Sequence, residues 1–524
     1  VSAMTPQDAT IYWLSKRTRN DLFLLYCFAD RGRPTEELRA AVAERSARIA
    51  DLCVRLRELP ADIDYPAWTR CEFGAGQFLE HELAERNWSR LLDALGDVLG
   101  TGVDAAVHPW RLHLFRAVTD APGLEGEPAL VVVLQMSHAL ADGRRASAIA
   151  RALFSEAENP VVQDGRRLGT GASDDMRAQE GGCVDVAGGE ASVGTAGNMP
   201  TLRLSALLAG GGEVGSAVAA RGRTIGDAVS AGVSSASLLA DSALAVLRMP
   251  VRLSATAVRG FRAFQAQQRL ARLTEAGELP PPGPDFPPSL LNRSTAEGVR
   301  RHEARILVFP AEDLRVPGRT VTVVVLTAVS LALARYLADR GEPPERLGAQ
   351  VPMALPEGTA ARNNYRNLGV DLFVDEPDLR LRADKIAAAL ADRRVRAGHP
   401  LLSAQDRVTA TVPAPMLRRD VDRYPLDAVP DSIAGHTVVS SVDRGAADLS
   451  FGGGDVRFTA GFPALGSVMH LTHGVHGLGD TVTVSLHADP EVVPDLDAYA
   501  AYLRAALLEA HLAQRDPAAA APPV

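Results

Sequence analysis

Apolar runs of strand length alternate with helix-spaced mixed stretches along most of this chain, a pattern that predicts an α/β protein. The clearest case is Val131-Val132-Val133-Leu134-Gln135-Met136, which runs through Ser137-His138-Ala139-Leu140-Ala141-Asp142-Gly143 into an Ala-, Arg- and Ile-containing stretch from Arg144 to Leu153. This reads as strand, tight loop, helix. Before it, Asp21 to Phe28 is a strand candidate. Pro34 to Leu59 reads as a helix, with Glu36 and Glu37 favourable to the dipole at its start. Trp88 to Leu99 predicts a second helix, and Trp110 to Val118 and Ala129 to Met136 predict strands. Residues 1–155 are thus expected to form one α/β half.

From Glu156 to about Pro200 the composition shifts to Gly, Asp, Ser and Ala without periodicity, which is the signature of a disordered linker. Ser205 to Leu273 regains helical character, broken at Gly210-Gly211-Gly212 and Pro250. Arg248, Arg252, Arg259, Arg262, Arg269 and Arg272 occur between Asp241 and Glu275 with no acid among them, interleaved with Leu253, Phe261, Phe264, Leu270 and Leu273. Such a helix either lies on an anionic membrane face or packs on its own protein with arginines in water. Leu279-Pro280-Pro281-Pro282-Gly283-Pro284 ends this variable region, 156–285, because proline forbids helix and central strand.

A second α/β half is expected over 286–515. Strands are predicted at Ala304 to Phe309, Gly348 to Met353, Leu368 to Val374, Thr437 to Val442, Val468 to Thr472 and Thr481 to Leu486. Helices are predicted at Thr320 to Asp339, Asp378 to Ala397 and Asp497 to Ala510, with residues 516–524 a frayed tail.

The 524 residues exceed one ordinary core, and a prior of about 150 residues per domain suggests two to four units. A net charge of −9 argues against general nucleic-acid binding. Lys16 and Lys385 are the only lysines, so Schiff-base or P-loop chemistry has almost no candidates. Cys27, Cys53, Cys71 and Cys183 show no metal-like spacing and read as reduced thiols of a cytoplasmic protein. Val1 to Asp8 lacks the charged and apolar regions of a secretory signal. The strongly apolar run Thr320 to Ala334 is shorter than the roughly 20 residues a membrane span needs, and reads as a buried helix.

His138 follows a buried strand, where open α/β sheets present reactive groups to a cleft. A neutral imidazole there can act as general base, and one plausible task is to take the proton of a hydroxyl that attacks an acyl group. Asp142 reads as the N-cap of the next helix and a brace for the loop, and Gly143 permits close approach. Other signals carry less. His470, His473 and His476 run from a strand into a turn and cannot easily share one ion, so no metal is expected. Gly210-x-Gly212-x-x-Gly215 has no preceding strand. No GxSxG is present, and Asn363-Asn364 reads as turn chemistry.

Taken together, several segments resemble the wax ester synthase/diacylglycerol acyltransferase family of the CoA-dependent acyltransferase superfamily. The family motif HHxxxDG is similar to Ser137-His138-Ala139-Leu140-Ala141-Asp142-Gly143. Thr5-Pro6-Gln7-Asp8-Ala9 is similar to its opening, His108-Pro109-Trp110 to its Pro-Leu-Trp, and Leu291-Asn292 to its Leu-Asn. Arg366-Asn367 with Phe373-Val374 and Pro377, and Ala488-Asp489 with Val493-Pro494-Asp495, match later segments in the family's order. There are departures. Ser137 replaces the first histidine, and Thr320-Val321-Thr322-Val323-Val324 stands for Thr-Val-Asn-Asp-Val. Ser440-Ser441-Val442-Asp443-Arg444-Gly445 stands for Ser-Asn-Val-Pro-Gly-Pro.

The resemblance implies two chloramphenicol-acetyltransferase-like α/β halves forming a pseudo-dimer, with a channel between them and His138 near its middle. It implies transfer of a fatty acyl group from acyl-CoA, a co-substrate, to a diacylglycerol or long-chain alcohol, with no cofactor and no acyl-enzyme. His138 and Asp142 are the implied catalytic residues. Ser137, Gly143, Asn367 and Ser441 are the substrate-site candidates, Asn367 and Ser441 as oxyanion donors. Contact with the inner membrane face or a lipid droplet fits this picture. The alternatives are a same-fold acyltransferase with another acceptor or a carrier-protein donor, and a catalytically silent lipid-binding homologue.

Overall fold

The computed structural model describes residues 2–155, 235–294, 300–356, 361–426 and 428–515. The expected linker at 156–200, the helical reading of 205–234, Cys183 and the tail at 516–524 lie outside the described residues.

The N-terminal half runs β1 (Ser2–Ala3), α1 (Pro6–Ser15), β2 (Leu22–Ala29), α2 (Thr35–Ala47), β3 (Val54–Arg57), β4 (Ala67–Arg70), β5 (Phe78–His81), α3 (Trp88–Leu99), β6 (Trp110–Val118), β7 (Ala129–Met136) and α4 (Gly143–Phe154). Helix α5 (Ser235–Glu275) precedes the C-terminal half. That half comprises β8 (Glu303–Pro310), α6 (Val321–Ala338), β9 (Gly348–Ala354), β10 (Tyr365–Asp371), α7 (Leu379–Ala397), α8 (Ser403–Thr409), α9 (Ala414–Arg423), β11 (Thr437–Asp443), β12 (Ser450–Phe451), β13 (Gly454–Phe462), β14 (Leu471–Leu478), β15 (Thr481–Ala488) and α10 (Leu496–Gln514).

Four expectations need correcting. The strand expected at Val468 to Thr472 runs instead over Leu471–Leu478, because its ladder with β15 extends from Leu471 opposite Ala488 to Leu478 opposite Thr481, which puts His473 and His476 on the strand and not in a turn. The helix expected to reach Leu59 stops at Ala47, and the chain turns through Ala50–Leu52 into β3. There Leu56 pairs with Trp68 on β4, so the later leucines serve a sheet rather than a helix face. The strand expected from Leu368 begins at Tyr365, because ladder pairing with β9 runs from Tyr365 opposite Ala354 to Asp371 opposite Gly348. Pro250 does not end α5. Contacts just beyond the proline, Arg252 with Asp64 and Thr256 Oγ1 with the Thr411 carbonyl, hold the helix on course.

Two six-stranded sheets organise the molecule, in the orders β12-β13-β2-β7-β6-β5 and β10-β9-β11-β14-β15-β8. All eight residues of β7 are buried, as a central strand covered on both faces requires. The division at residue 286 separates the chain but not the sheets. After β11 the chain leaves the second sheet and adds β12 and β13 to the first. It pairs Phe462 with Phe23 and Val456 with Phe28, and then returns as β14, parallel to β11. At this crossing Gly474 is required: a Cβ there would stand 2.1 Å from the Gly461 carbonyl oxygen.

Apolar burial follows the same exchange. One core cluster joins Phe23 and Leu25 of β2 and Leu91 and Leu95 of α3 to Ile306 of β8 and Phe458 of β13. Each such side chain contributes about 1.5–3 kcal/mol when fully buried, so the two halves share a core. Helix α6 is long and apolar enough to cross a membrane by length and composition, yet most of it is buried within the protein. It packs on α7 and α10.

Candidate active site

Strand β7 delivers His138 into the loop between Met136 and Gly143, and Asp142 ends that loop by capping α4. Its Oδ1 accepts the Arg145 amide at 2.9 Å. The other oxygen, Oδ2, accepts the Asn364 amide at 3.0 Å, and the Asp142 amide donates to the Arg362 carbonyl at 3.2 Å. The histidine loop is therefore clipped to residues 362–364 of the other half.

A buried carboxylate from α1 completes the clip. Asp8 accepts hydrogen bonds from the Arg362 amide (2.9 Å), the Asn363 amide (3.0 Å), Asn363 Nδ2 (3.1 Å) and Thr5 Oγ1 (2.7 Å). Burial raises the Asp8 carboxyl above its ordinary range, against these hydrogen bonds. Beneath the loop, Asp51 accepts from Arg145 at 2.7 and 2.9 Å and from Arg362 at 2.7 Å. Burial alone would raise Asp51, but its hydrogen bonds and the two guanidinium charges bring it below the usual carboxylate value.

Asn363 sets the tautomer of His138. Its Nδ2 donates to the His138 carbonyl at 2.7 Å and to Asp8, so its Oδ1, 2.8 Å from His138 Nδ1, is the acceptor of an Nδ1–H. The lone pair then resides on Nε2. Burial pushes the imidazole below its ordinary pKa, which keeps it neutral. His138 is 8% exposed, and that remnant opens on a cavity of about 370 Å³ between the halves. This size falls within the range of small-molecule sites. The cavity is walled by β2, the start of α4, β9 and β10, β11, and the end of β13.

Of the residues singled out in the sequence, the structure brings His138, Gly143, Asn367 and Ser441 to this one cavity. Asn367 Nδ2 donates to Gln350 Oε1 at 3.3 Å on the neighbouring strand. Ser137 and Asp142 are not among the lining residues. Ser137 is buried, and its hydroxyl accepts the Ala139 amide at 3.3 Å, so it braces the loop instead of meeting a substrate. Asp142 is occupied by the cap and the Asn364 amide.

Sequence reasoning read Asn363 as turn chemistry, weighed His476 only as a metal ligand, and gave Asp8, Arg362 and Arg444 no role in the site. Asp8 leaves one trace, a carboxylate at the head of the otherwise apolar helix that continues Ala9 to Leu14. The histidine ladder resolves into separate tasks. His470 meets Asp489 and the Arg293 carbonyl, His473 bridges Thr437 and Tyr499, and His476 lines the cavity.

Residues 363–510 match the family model described as the WS/DGAT C-terminal domain. Over these residues the chain is similar to that domain. The fold of the chain is similar over its length to the wax ester synthase/diacylglycerol acyltransferase of Marinobacter aquaeolei VT8. Identity is 16% over 98% of this chain and 99% of that one, with a TM-score of 0.55. It is also similar to the first condensation domain of the CDA synthetase (14% identity, 98% and 96% covered, TM-score 0.51). A third likeness is to the starter condensation domain of rhizomide synthetase in complex with C8-CoA and Leu-SNAC (13%, 98% and 94%, TM-score 0.51). No curated protein sequence matches the chain. The shared architecture is the mixed α/β fold of two halves expected from the resemblance.

Proposed function

We propose that this protein is an acyltransferase of the WS/DGAT type, transferring an acyl group from acyl-CoA to a hydroxyl of a diacylglycerol or long-chain alcohol. The carrying observation is His138 itself: neutral, locked through Nδ1 on Asn363, with Nε2 left for the cavity between the halves. Nε2 takes the hydroxyl proton while the alkoxide attacks the thioester carbonyl. The tetrahedral intermediate collapses by breaking the C–S bond, and the protonated imidazole returns its proton to the thiolate. Ser441 and Asn367, on the cavity wall, are the candidates for stabilising the oxyanion. The likeness to a condensation domain solved with C8-CoA supports a thioester donor. Thiol release from acyl-CoA, followed with a panel of fatty alcohols and diacylglycerols, tests the reading. Turnover is expected to need an acceptor and to be lost in His138→Ala, and an unchanged rate in that variant overturns the general-base role.

The same reading includes contact with an inner membrane face. Helix α5 packs through Ala263, Ala266 and Leu270 on the α8 region while Leu247, Val251, Phe261 and Phe264 stay exposed beside its arginines. Flotation with anionic against neutral vesicles checks it.

A further inference from the structure

We infer that Arg444 forms an anion subsite in the wall of the His138 cavity, taking a carboxylate or phosphate oxygen of a substrate; this rests on the acyl-transfer reading only for the identity of that substrate. Arg444 lines the same cavity as His138 and is 7% exposed. Among the described residues it has no ion pair. Its guanidinium donates to Thr459 Oγ1 at 2.6 Å and interacts with the Tyr26 side chain, both through a hydrogen bond and over the ring, whose centroid lies 5.3 Å away, while its Nε has no acceptor. The adjacent carboxylate does not serve it: Asp443 is exposed and accepts the Gly445 amide at 3.0 Å. A buried charge without a counter-charge is costly, so folding alone gives no reason to keep a guanidinium here.

A further observation agrees. His476, also on the wall, is held neutral by burial and by the Arg444 charge, so this end of the cavity carries a cation that no buried carboxylate among the described lining residues offsets. A guanidinium without a counter-charge on the wall of a largely apolar enclosure is suited to charge-assisted binding of a carboxylate or phosphate.

Calorimetric binding to the full-length protein tests this with two pairs of probes: octanoyl-CoA against octanoyl-N-acetylcysteamine, and ω-hydroxylaurate against lauryl alcohol. Arg444→Met is expected to melt no lower than the wild type, because an unpaired buried charge is removed. It is expected to weaken one anionic probe at least about tenfold while its neutral counterpart changes less than twofold. Arg444→Lys is expected to recover part of the loss. A loss confined to octanoyl-CoA assigns the subsite to donor phosphate, and one confined to ω-hydroxylaurate assigns it to an acceptor carboxylate. Equal affinities of Arg444→Met and wild type for all four probes, or equal weakening of charged and neutral probes, overturns the proposal. His138→Ala separates the two readings, since it abolishes turnover yet should leave these affinities unchanged.

Discussion

Asn363 Oδ1 lies 2.8 Å from His138 Nδ1, joining two residues 225 positions apart. The contact fixes which imidazole nitrogen carries the proton, and Asp8 fixes the amide in turn through its Nδ2 and backbone N–H. Asn363→Ala should therefore lower kcat by about 10- to 100-fold, a fraction of the ~10²–10⁴ a general base supplies, with KM little changed. Steady-state kinetics of thiol release checks this. A KM rise with kcat intact would place Asn363 in substrate binding instead.

Asn363→Asp makes the complementary case. A carboxylate beside Nδ1 favours the imidazolium, so the acid limb of the kcat/KM profile should move to higher pH than in the wild type. In the wild type, burial depresses His138, and the limb should lie below pH 6.5. A pH–rate series on both proteins decides.

Stability should follow pH in the same direction. Burial pulls His113, His302, His436 and His473 down to about 4 and His487 to about 3. Between the ordinary value of 6.5 and these values the unfolded chain binds protons that the folded chain refuses, so stability falls as pH drops through that window. Asp21, raised by burial to about 6, works in the opposite sense below pH 6, together with Asp8, Asp62, Asp406 and Asp420, which burial also raises, so the histidines act alone only in the upper part of the window. Tm should be flat above pH 7 and decline from about pH 6.5 downward. A Tm that rises on acidification contradicts the neutral state of these rings.

What was legible in the sequence was what the chain specifies locally. Val131 to Met136 is a continuous apolar run, and β7 lies where that run predicts; α3 and β6 likewise begin and end with their apolar patterns. Strand β13 carries the same kind of signal in Val456, Phe458, Ala460 and Phe462, alternating with Asp455, Arg457 and Thr459. It was obscured by flanking glycines and Pro463, and no local feature tells a strand that it belongs to the other half's sheet. The site divides similarly. His138 was legible from its strand–loop–helix setting and the resembled motif. Asn363 and Asp8 were not, since a polar residue in a loop looks the same whether water or a distant imidazole receives it.

Phe458→Ala tests the shared core. The ring is 1% exposed on β13 and meets Trp88 edge-on with centroids 5.8 Å apart, so it ties a strand from the C-terminal half to α3 of the N-terminal half. The substitution should cost about 3–5 kcal/mol in urea denaturation, the range for a large buried aromatic. A loss below about 1 kcal/mol would mean that the exchanged strand is not part of the cooperative core.

Asp51→Asn should loosen the platform under the loop. Arg145 and Arg362 both rest on this carboxylate, whose side chain is 20% exposed, and without its charge two neighbouring guanidinium groups face each other. For a pair between surface and interior the expected cost is about 2 kcal/mol. It should shrink as salt screens the remaining repulsion, which denaturation at low and high ionic strength will show.

Asp142 separates charge from geometry. One oxygen caps α4 and the other holds the Asn364 amide, and asparagine can serve the cap while its single carbonyl oxygen keeps only one of the two bonds. Asp142→Ala loses both, and should cost about 1–2 kcal/mol on the capping scale together with a large fall in kcat as the His138 loop slips from residues 362–364. Asp142→Asn keeps the cap, so its stability should lie near wild type and its kcat between wild type and alanine. If asparagine and alanine were equally inactive while the asparagine variant stayed as stable as the wild type, the negative charge of Asp142, rather than its hold on the two loops, would be what His138 requires.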